Sequence, residues 1–564
     1  MDYDLKIRGA DIVDGTGRAR YRGDVAVKDR CIVAMGDAPG TAHQTIDAGG
    51  LAVSPGFVDI HTHYDAQVLW DRMLSISPWH GVTTAVIGNC GFGVAPARPA
   101  HRSLIMRTLE KVEGMSVEAL ETGLGPEWGF QTFPEYLDAI EKQGVAINLG
   151  VMIGHTPLRL WVMGEAATER PATTAEIAEM KAILRGALDA GAIGFATSKA
   201  STHVGYGGRP VPSRAADLSE IMALAGVLGE AGRGIIQATV GKELFLDQFV
   251  EIARVTGRPI TWTALLAGLS LGTGGHTEQL ARSEAIAAEG LTIVPQVTAR
   301  PLNFEFQFKA PFLFEPLSLF KPVAIADAAG KARIYADPEF RRAFADRMLV
   351  SGAPQFRASF AKTLISQYGP EPELEERPLF EVARERGVVP TDLALDLALQ
   401  TNLEARFRVP VANHQEDEVE PLLKSDCTVI GLSDAGAHAS QLCDACLPTY
   451  LLARWVREKN TFSLEEGVRM LTSRPAEVFG LTDRGVLKPG APADLVVFDP
   501  ATIGASKLRR VYDLPAGADR LVSDAIGVEA VVVNGTVIRR AGVDAVDPQG
   551  VLPGRLLRGG HASV

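Results

Sequence analysis

The chain has few cysteines, no long apolar run and no excess of positive charge. Its 564 residues include five cysteines, a small and odd number that argues against a disulfide framework and favours a reducing cytoplasm. No apolar stretch reaches the roughly 20 residues that a membrane-spanning helix needs, and the opening segment lacks the features of a secretory signal. The net charge of −12 and the pI near 5.5 argue against the basic face of a nucleic-acid binder. We therefore expect a cytoplasmic protein whose partners include neither nucleic acid nor membrane.

Both ends of the chain show a pattern typical of short strands separated by turns. Apolar residues alternate with polar ones in DLKIRGADIVDG and GDVAVKDRCIVAMGD, and again in ADLVVFDP and GVEAVVVNGTVIRRAG, with Gly and Asp between the runs. We expect residues 1–55 and 480–545 to form one small β-sandwich domain built from both termini. Residues 546–564 are then a C-terminal tail.

The middle of the chain, residues 56–479, alternates apolar strand-like runs with helix-forming segments. Eight such runs can be counted, from FVDIHTH to TVIGLSDAG, and eight alternations predict an α/β fold with a closed (β/α)8 TIM barrel. An open doubly wound sheet is the alternative, but its phosphate-binding glycine fingerprint is absent. The segment between the seventh and eighth runs, about residues 302–425, is much longer than a normal connection. Its length predicts an inserted subdomain, which lies either over the barrel mouth or at its periphery.

The pair His61 and His63 follows the first apolar run in PGFVDIHTH. Residues two apart on a strand point to the same side, so the two imidazoles can bind one metal ion at the C-terminal end of the first barrel strand. Two surface histidines on an edge strand would give the same pattern. The preceding apolar strand favours the metal site.

The carboxylate of Asp434 lies at the end of the eighth run, VIGLSDAGAH. In that position it can bind a metal, orient water and carry a proton from the nucleophile to the leaving amine. Asp also caps helices at such turns. His438, four residues on, is either a further donor or a residue of the turn.

Five segments in chain order, PGFVDIHTHYDAQ, WHGVTTAVIGNCGFGVAP, IGHTPLR, GLSDAGAH and TDRGVLKPGAPADLVVFD, resemble the amidohydrolase superfamily. The most similar branch is the D-aminoacylase (N-acyl-D-amino-acid deacylase) group. The resemblance spans nearly the whole chain and is weakest in the insertion. It implies a barrel with a flanking β-sandwich, one or two zinc ions, and release of a free amine from an acyl group.

The resemblance also assigns individual residues. It implies that His61 and His63 are metal ligands, that Cys90 in GNCGFG is a thiolate ligand after the second strand, and that Asp434 is the essential carboxylate. A small buried thiol in a Gly-rich turn is the alternative for Cys90. His155, in the GHxxLR pattern, could polarise the scissile carbonyl, or it could be a hydrogen-bonded structural histidine.

Two ligands of the family are missing from this sequence. Thr239 and Thr263 stand where the D-aminoacylases have histidines after the fifth and sixth strands, and threonine is not a normal zinc ligand. Lys199 closes the fourth strand, where other amidohydrolases place a carboxylated lysine. It could therefore replace the lost ligands, although a surface or substrate-binding role is commoner for lysine. His203, just beyond it, is more typical of a loop residue than of a ligand.

Substrate binding calls for a cation, because N-acyl amino acids carry a carboxylate. Arg159, Arg300 and Lys199 are the candidates, since a guanidinium can donate two parallel hydrogen bonds to a carboxylate. An ion pair within the protein is the more frequent role for any one arginine. Gln237 and Gln296 end strands and could face the pocket without chemistry of their own.

These observations lead to one hypothesis and two alternatives. A zinc ion held by His61, His63 and Asp434, with help from Cys90 or Lys199, activates water against the amide of a small molecule, most simply an N-acyl D-amino acid. Asp434 acts as general base and then as general acid. The alternatives are a related amide, cyclic amide or ester, and a non-catalytic barrel that has lost its metal ligands. The protein is either a monomer or a homo-oligomer.

Overall fold

The computed structural model describes residues 1–269, 272–315 and 317–561, except for the side chain of Gln355. All eight predicted barrel strands form, and neighbouring strands are parallel and follow chain order around the sheet. A parallel bridge between Thr62 and Ala435 connects the ends of the first and eighth strands and closes the barrel. The barrel strands are Phe57–Asp59, Val82–Ile87, Asn148–Gly154, Gly194–Ser198, Ile235–Thr239, Ile260–Thr263, Ile293–Val297 and Val429–Ile430.

Helices pack around the outside of the barrel, and the longest shows why they form. Thr173 and Glu176 make reciprocal hydrogen bonds at the start of the helix Thr174–Ala190, and Gly191 ends it with a φ of 114° that favours glycine. The other barrel helices are Arg102–Glu113, Val117–Leu124, Phe133–Gln143, His155–Met163, Leu218–Ala231, Leu246–Thr256, His276–Ala288, Glu416–Lys424, Leu447–Leu451, Leu464–Leu471 and Ser473–Val478. None of the helices within the described ranges has the length and apolar character to cross a bilayer.

Strands from both ends of the chain combine in one nine-stranded sheet. The connection is made where Ala52–Pro55 pairs in antiparallel fashion with Leu495–Phe498. The buried faces of Val53, Leu495 and Val532 belong to one apolar core. The remaining strands of the sheet are Tyr3–Ile12, Tyr21–Lys28, Cys31–Gly36, Ala42–Asp47, Val528–Val533, Thr536–Arg540 and Val543–Asp544. Two small two-stranded sheets, Gly504–Ala505 with Ala525–Ile526 and Arg509–Val511 with Arg520–Val522, lie between these C-terminal strands in the chain.

The insertion after the seventh barrel strand has its own sheet and core. Its strands are Leu302–Gln307, Leu364–Gln367, Arg377–Pro378 and Arg406–Ala412, and its helices are Lys321–Ala324, Ala328–Ala336, Pro338–Ala345, Pro354–Ala361, Leu379–Arg386 and Pro390–Gln400. Phe308, Phe314 and Phe344 are fully or almost fully buried at its centre. The first and last of its strands reach the barrel mouth, where Leu302, Phe304 and Val411 line a cavity.

The C-terminal segment follows the start of the third barrel strand. The Leu149 N–H donates to the Arg555 carbonyl at 2.9 Å, and the Leu557 N–H donates to the Leu149 carbonyl at 2.8 Å. The Arg558 guanidinium pairs with Asp138 and Glu141 at 2.7 and 2.8 Å. These contacts fix the segment to the N-terminal end of the barrel, away from the strand ends where the candidate site lies.

Candidate metal centre

Four side chains predicted from strand ends meet at the C-terminal mouth of the barrel. The ligand atoms of His61, His63 and Cys90 lie within 4.8 Å of one another, and all three residues are buried. The His61 Nε2 atom is 3.4 Å from the Cys90 Sγ atom and 3.4 Å from an Asp434 carboxylate oxygen. The same oxygen is 3.8 Å from the His63 Nε2 atom. The two imidazoles, the thiol and the carboxylate therefore surround one point at the strand ends, the usual place of a barrel active site.

A buried glutamine fixes the orientation of His61. The Gln296 amide N–H donates to the Thr261 hydroxyl at 3.2 Å, which leaves its carbonyl oxygen 2.8 Å from the His61 Nδ1 atom. The Nδ1 atom must therefore carry the proton and donate it to Gln296. The Nε2 lone pair is left facing Cys90 and Asp434, and this arrangement is the one that holds metal-binding histidines in place.

The backbone around Cys90 turns sharply and brings its thiol toward the strand ends. Cys90 has a φ of 55°, in the left-handed region, and its N–H donates to the Gln237 side-chain carbonyl at 2.7 Å. Burial raises the pKa of the Cys90 thiol well above its ordinary value, and hydrogen bonds from Thr239 and Thr263 partly oppose this. The Thr263 hydroxyl also donates to that of Thr239 at 3.1 Å. The two threonines that replace the family's histidines thus face the thiol.

The histidines of the cavity are neutral because they are buried. Burial lowers the pKa of His61 to about 4, that of His203 to about 3, and that of His63 well below its ordinary value. A neutral imidazole offers the lone pair that a metal requires. Burial has the opposite effect on the carboxyl group of Asp434 and raises its pKa.

Glu113 belongs to the site although no motif in the sequence indicates it. Its carboxylate oxygen lies 3.3 Å from the His63 Nδ1 atom, and both side chains are less than a tenth exposed. Burial raises the pKa of Glu113 well above its ordinary value. Glu113 ends a helix in the long segment between the second and third strands, so the contact depends on how that segment folds back over the mouth.

The site opens into a cavity of about 350 Å³. His203 and His438 line it: the His203 Nδ1 atom is 2.7 Å from the Ser198 hydroxyl, and the His438 ring packs against Phe304 at 6.0 Å between centroids. Lys111 also lines the cavity, at the edge that is exposed to solvent. It is the only lysine or arginine among the described residues that line this cavity. No motif in the sequence indicates Lys111.

Lys199 does not join the cluster. Its ammonium group donates to the carbonyls of Arg214 and Ala216 at 2.9 and 2.6 Å, and the Glu243 carboxylate lies 3.5 Å away. An amine held by two carbonyl acceptors in this way leaves no reason to assign it as a ligand, a carbamate or a substrate-binding group. We therefore drop those expectations for Lys199.

His155 and Arg159 belong to a separate buried network between the barrel strands and the helix Leu218–Ala231. The His155 Nε2 atom is 2.9 Å from a Glu220 carboxylate oxygen, its Nδ1 atom is 2.8 Å from the Thr197 hydroxyl, and Arg159 pairs with both oxygens of Glu220. Two nitrogens of Arg159 also donate to the Ala167 carbonyl. Neither residue lines the cavity, so the structural alternative replaces the catalytic and substrate-binding expectations for them.

Arg300 is also used within the protein. Its guanidinium Nε lies 3.1 Å from the Asp444 carboxylate, a second nitrogen contacts the Cys446 thiol, and the group lies over the Tyr450 ring. The Asp444 carboxylate therefore pairs with the charge of Arg300 inside the protein. The expectation that it binds a substrate carboxylate is corrected accordingly, because it does not line the cavity.

Comparison with known proteins gives the site its family context. The amidohydrolase family model matches residues 44–330 and 366–539. The chain is 29% identical over 555 residues to a D-aminoacylase of Alcaligenes xylosoxydans xylosoxydans, covering 95% of this chain and 94% of that protein. It is 28% identical over 566 residues to the N-acyl-D-glutamate deacylase of the same organism, covering 98% of this chain and 96% of that protein.

A solved structure agrees with these sequence relatives. The N-acyl-D-glutamate deacylase of Bordetella bronchiseptica, complexed with zinc and a phosphonate inhibitor, superposes with a TM-score of 0.65 at 27% identity, covering 99% of this chain and all of that one. The family model matches well over half of the chain, in agreement with the order of the sequence motifs. The chain therefore belongs to the amidohydrolase family, within its D-aminoacylase group, and is a hydrolase of carbon–nitrogen bonds other than peptide bonds.

Proposed function

We propose that the protein is a zinc-dependent deacylase that hydrolyses N-acyl amino acids, most simply those of D-configuration. The observation that carries this proposal is the convergence of His61, His63, Cys90 and Asp434 beside an open cavity at the barrel mouth. The relatives named above are a D-aminoacylase and an N-acyl-D-glutamate deacylase, and these names support N-acyl-D-amino acids as the substrate class. A barrel of this kind hosts many reactions, so the substrate has to be argued from the site.

The residues of the cluster fit a zinc ion. Two neutral imidazoles and one thiolate are common zinc ligands, and a bound zinc ion would favour loss of the Cys90 thiol proton. The Asp434 carboxylate supplies a fourth donor or a contact to water. Within the described parts of the chain, His61, His63 and Cys90 are the only close group of three such ligand residues. We propose one ion held by these residues, because Thr239 and Thr263 add hydroxyls rather than ligands to the cluster.

A bound zinc ion would supply Lewis acidity, which activates water and polarises the amide carbonyl. Asp434 lies beside both imidazoles and is the carboxylate placed to take a proton from the attacking water. It then returns that proton to the departing nitrogen, so the C–N bond breaks as the water oxygen becomes part of the new carboxylate. A carboxylate beside the reacting water can both accept and release a proton.

Lys111 replaces the arginines as the group that binds the substrate carboxylate. It is the only cationic side chain that the described lining of the cavity provides, and no described residue forms an ion pair or hydrogen bond with its ammonium group. A lysine ammonium has three donors and attracts a carboxylate as a point charge. The amide of an N-acyl amino acid would then lie between Lys111 and the zinc ligands.

Metal analysis and a substrate panel test the proposal together. The purified protein should contain about one zinc per chain, lose turnover when the zinc is removed with a chelator, and regain it with one equivalent of zinc. The panel should contain N-acetyl-D- and N-acetyl-L-amino acids, cyclic imides and aryl esters. A protein without metal, or one that cleaves only the imides or esters, would contradict the proposal.

A further inference from the structure

One face of the insertion sheet continues the wall of the metal cavity. Phe304 and Val409 are directly paired across the antiparallel strands Leu302–Gln307 and Arg406–Ala412, so their side chains point to the same face. Val411 lies at a register shift in this pairing, and both Val409 and Val411 line one cavity of the insertion. Phe304 and Val411 line the metal cavity. The face is therefore a continuous apolar surface that begins at the candidate active site.

A second cavity, of about 240 Å³, lies in the insertion and is lined by Val409 and Val411 of this face. Its walls are apolar, and they include Ala353, Phe314, Phe356, Phe360, Val409 and Val411. Ser359 is the only polar residue among those described in its lining, and its hydroxyl is 3.3 Å from the His414 Nε2 atom. The second cavity thus suits a hydrocarbon group and offers little to a polar one.

The two cavities share Val411 and adjoin along the Phe304–Val409 pair. We propose that the second cavity is an acyl-chain subsite, which accepts the end of a long aliphatic acyl group whose scissile carbonyl lies among His61, His63 and Asp434. This inference rests on the proposed deacylase function and narrows its substrate class. It assigns the insertion a direct part in choosing the substrate.

The acyl chain fits this subsite better than the amino-acid side chain does. The side chain branches from the carbon that bears the carboxylate, so it stays near the group that binds the carboxylate, Lys111 in our proposal. The acyl chain starts at the scissile carbonyl and can extend alone along the face formed by Phe304, Val409 and Val411. A volume of 240 Å³ has room for about eight methylene groups at roughly 30 Å³ each, the volume of one liquid water.

A chain-length series tests the subsite. The substrates are acetyl, butanoyl, hexanoyl, octanoyl and decanoyl derivatives of D-alanine and L-alanine, because alanine adds no competing side chain. Burial of each methylene should raise kcat/KM about threefold to fourfold, until the chain fills the subsite and the rise stops. A second series keeps the acetyl group and lengthens the amino-acid side chain. In this series kcat/KM should not rise with each added methylene.

Two tryptophan variants of one helix provide the matched comparison. Ala353 is exposed and lines the second cavity, just before the helix Pro354–Ala361, whereas Ala358 is exposed on the same helix outside the cavity lining. Ala353→Trp should fill the subsite and reduce the ratio of octanoyl to acetyl kcat/KM to near one, with acetyl hydrolysis within twofold of the wild type. Ala358→Trp should leave both rates unchanged.

A binding measurement separates this inference from the proposed function. Calorimetry on the zinc-loaded protein should show that octanoate binds at least tenfold more tightly than acetate, and that Ala353→Trp removes the difference. Equal binding of the two acids, or a chain-length effect that survives Ala353→Trp, would overturn the subsite. Octanoate binding that depends on Ala353, without hydrolysis of any N-acyl amino acid, would support the subsite and contradict the deacylase. Hydrolysis of acetyl substrates without a chain-length effect would support the deacylase and contradict the subsite.

Discussion

The protein buries two histidine-containing clusters near its barrel strands, and they differ in what their polar atoms face. At the mouth, His61 and His63 have one ring nitrogen each turned toward Asp434 and an open cavity. Between the barrel strands and the helix Leu218–Ala231, both ring nitrogens of His155 are hydrogen-bonded, one to Glu220 and the other to Thr197. Burial lowers the pKa of all three histidines. Perturbed pKa values therefore do not distinguish the two clusters, whereas unused lone pairs beside a cavity do.

Asp434→Asn should have the largest effect, because it removes the only proton acceptor that we assign to the mouth cluster. Loss of a general acid–base group costs about 10² to 10⁴ in kcat. The zinc content should stay near that of the wild type, since His61, His63 and Cys90 remain. Steady-state kinetics and metal analysis of the same preparation measure both quantities. A variant with kcat within tenfold of the wild type would show that the proton is carried elsewhere.

Glu220→Gln should have the next largest effect, on stability and not on metal binding. Glu220 is the common partner of His155 and Arg159, and removal of one partner from a buried ion pair costs about 3–5 kcal/mol of unfolding free energy. Glu230→Gln is the matched control. Glu230 lies on the same helix as Glu220, but it is exposed and pairs with Arg185 of a neighbouring helix. That exposed pair should contribute about 1 kcal/mol or less. Denaturant unfolding of the two variants gives the comparison.

The effect of Glu220 should also depend on pH. Burial opposes its ionisation, but His155 and Arg159 outweigh burial and lower the pKa of Glu220 from 4.5 to about 2. The stabilisation by the ionised group is then complete above pH 4.5 and is lost as the pH falls toward 2. The difference in unfolding free energy between the wild type and Glu220→Gln should shrink over that range. A difference that grows with acidity would contradict the assigned pairing, and a variant too unstable to purify can be replaced by Glu220→Asp.

The sequence predicted the mouth cluster better than the buried network, and for a physical reason. His61 and Asp434 follow strands, and the carboxyl ends of parallel barrel strands converge, so their positions along the chain were enough to bring them together. Cys90 was assigned to the cluster by the family resemblance. His155 and Arg159 also follow a strand, but helix formation begins at His155 and turns both side chains toward Glu220. The sequence motif around His155 does not indicate this partner, which lies on a separate helix.

Cations and carboxylates outside the strand ends were harder to predict. Lys111 and Glu113 reach the mouth from a helix in a long connection, where neither periodicity nor spacing marks a site residue. Lys199 was predicted from its position at the end of a strand and Arg300 from the chemistry of its guanidinium group, yet carbonyl, carboxylate and thiol partners hold them. A long cationic side chain can turn away from the strand end that carries it, so its place in the sequence fixes its function poorly.

Gln296→Leu should have a smaller effect than Asp434→Asn and should act through zinc affinity. Gln296 orients His61 by accepting its Nδ1–H, and loss of such a contact weakens metal binding about 10- to 100-fold. Gln296→Glu keeps a carbonyl-type acceptor at the same position and should restore most of the affinity. Competition with a zinc-binding dye measures both variants. Equal zinc affinity of Gln296→Leu and the wild type would mean that the imidazole does not depend on this contact.

Lys111→Met should have the smallest effect and tests whether the cavity recognises charge. Lys111 is exposed, so its attraction for a substrate carboxylate is screened and should be worth about 1 kcal/mol, or about fivefold in KM. The increase should appear with an N-acetyl amino acid and disappear with the corresponding amino-acid amide derivative, which has no carboxylate. Lys142→Met, at an exposed lysine outside the cavity lining, should change neither KM. An equal rise in KM for both substrates would mean that the ammonium group does not bind the carboxylate. The substrate must then be held by the apolar walls of the cavity and the zinc site alone.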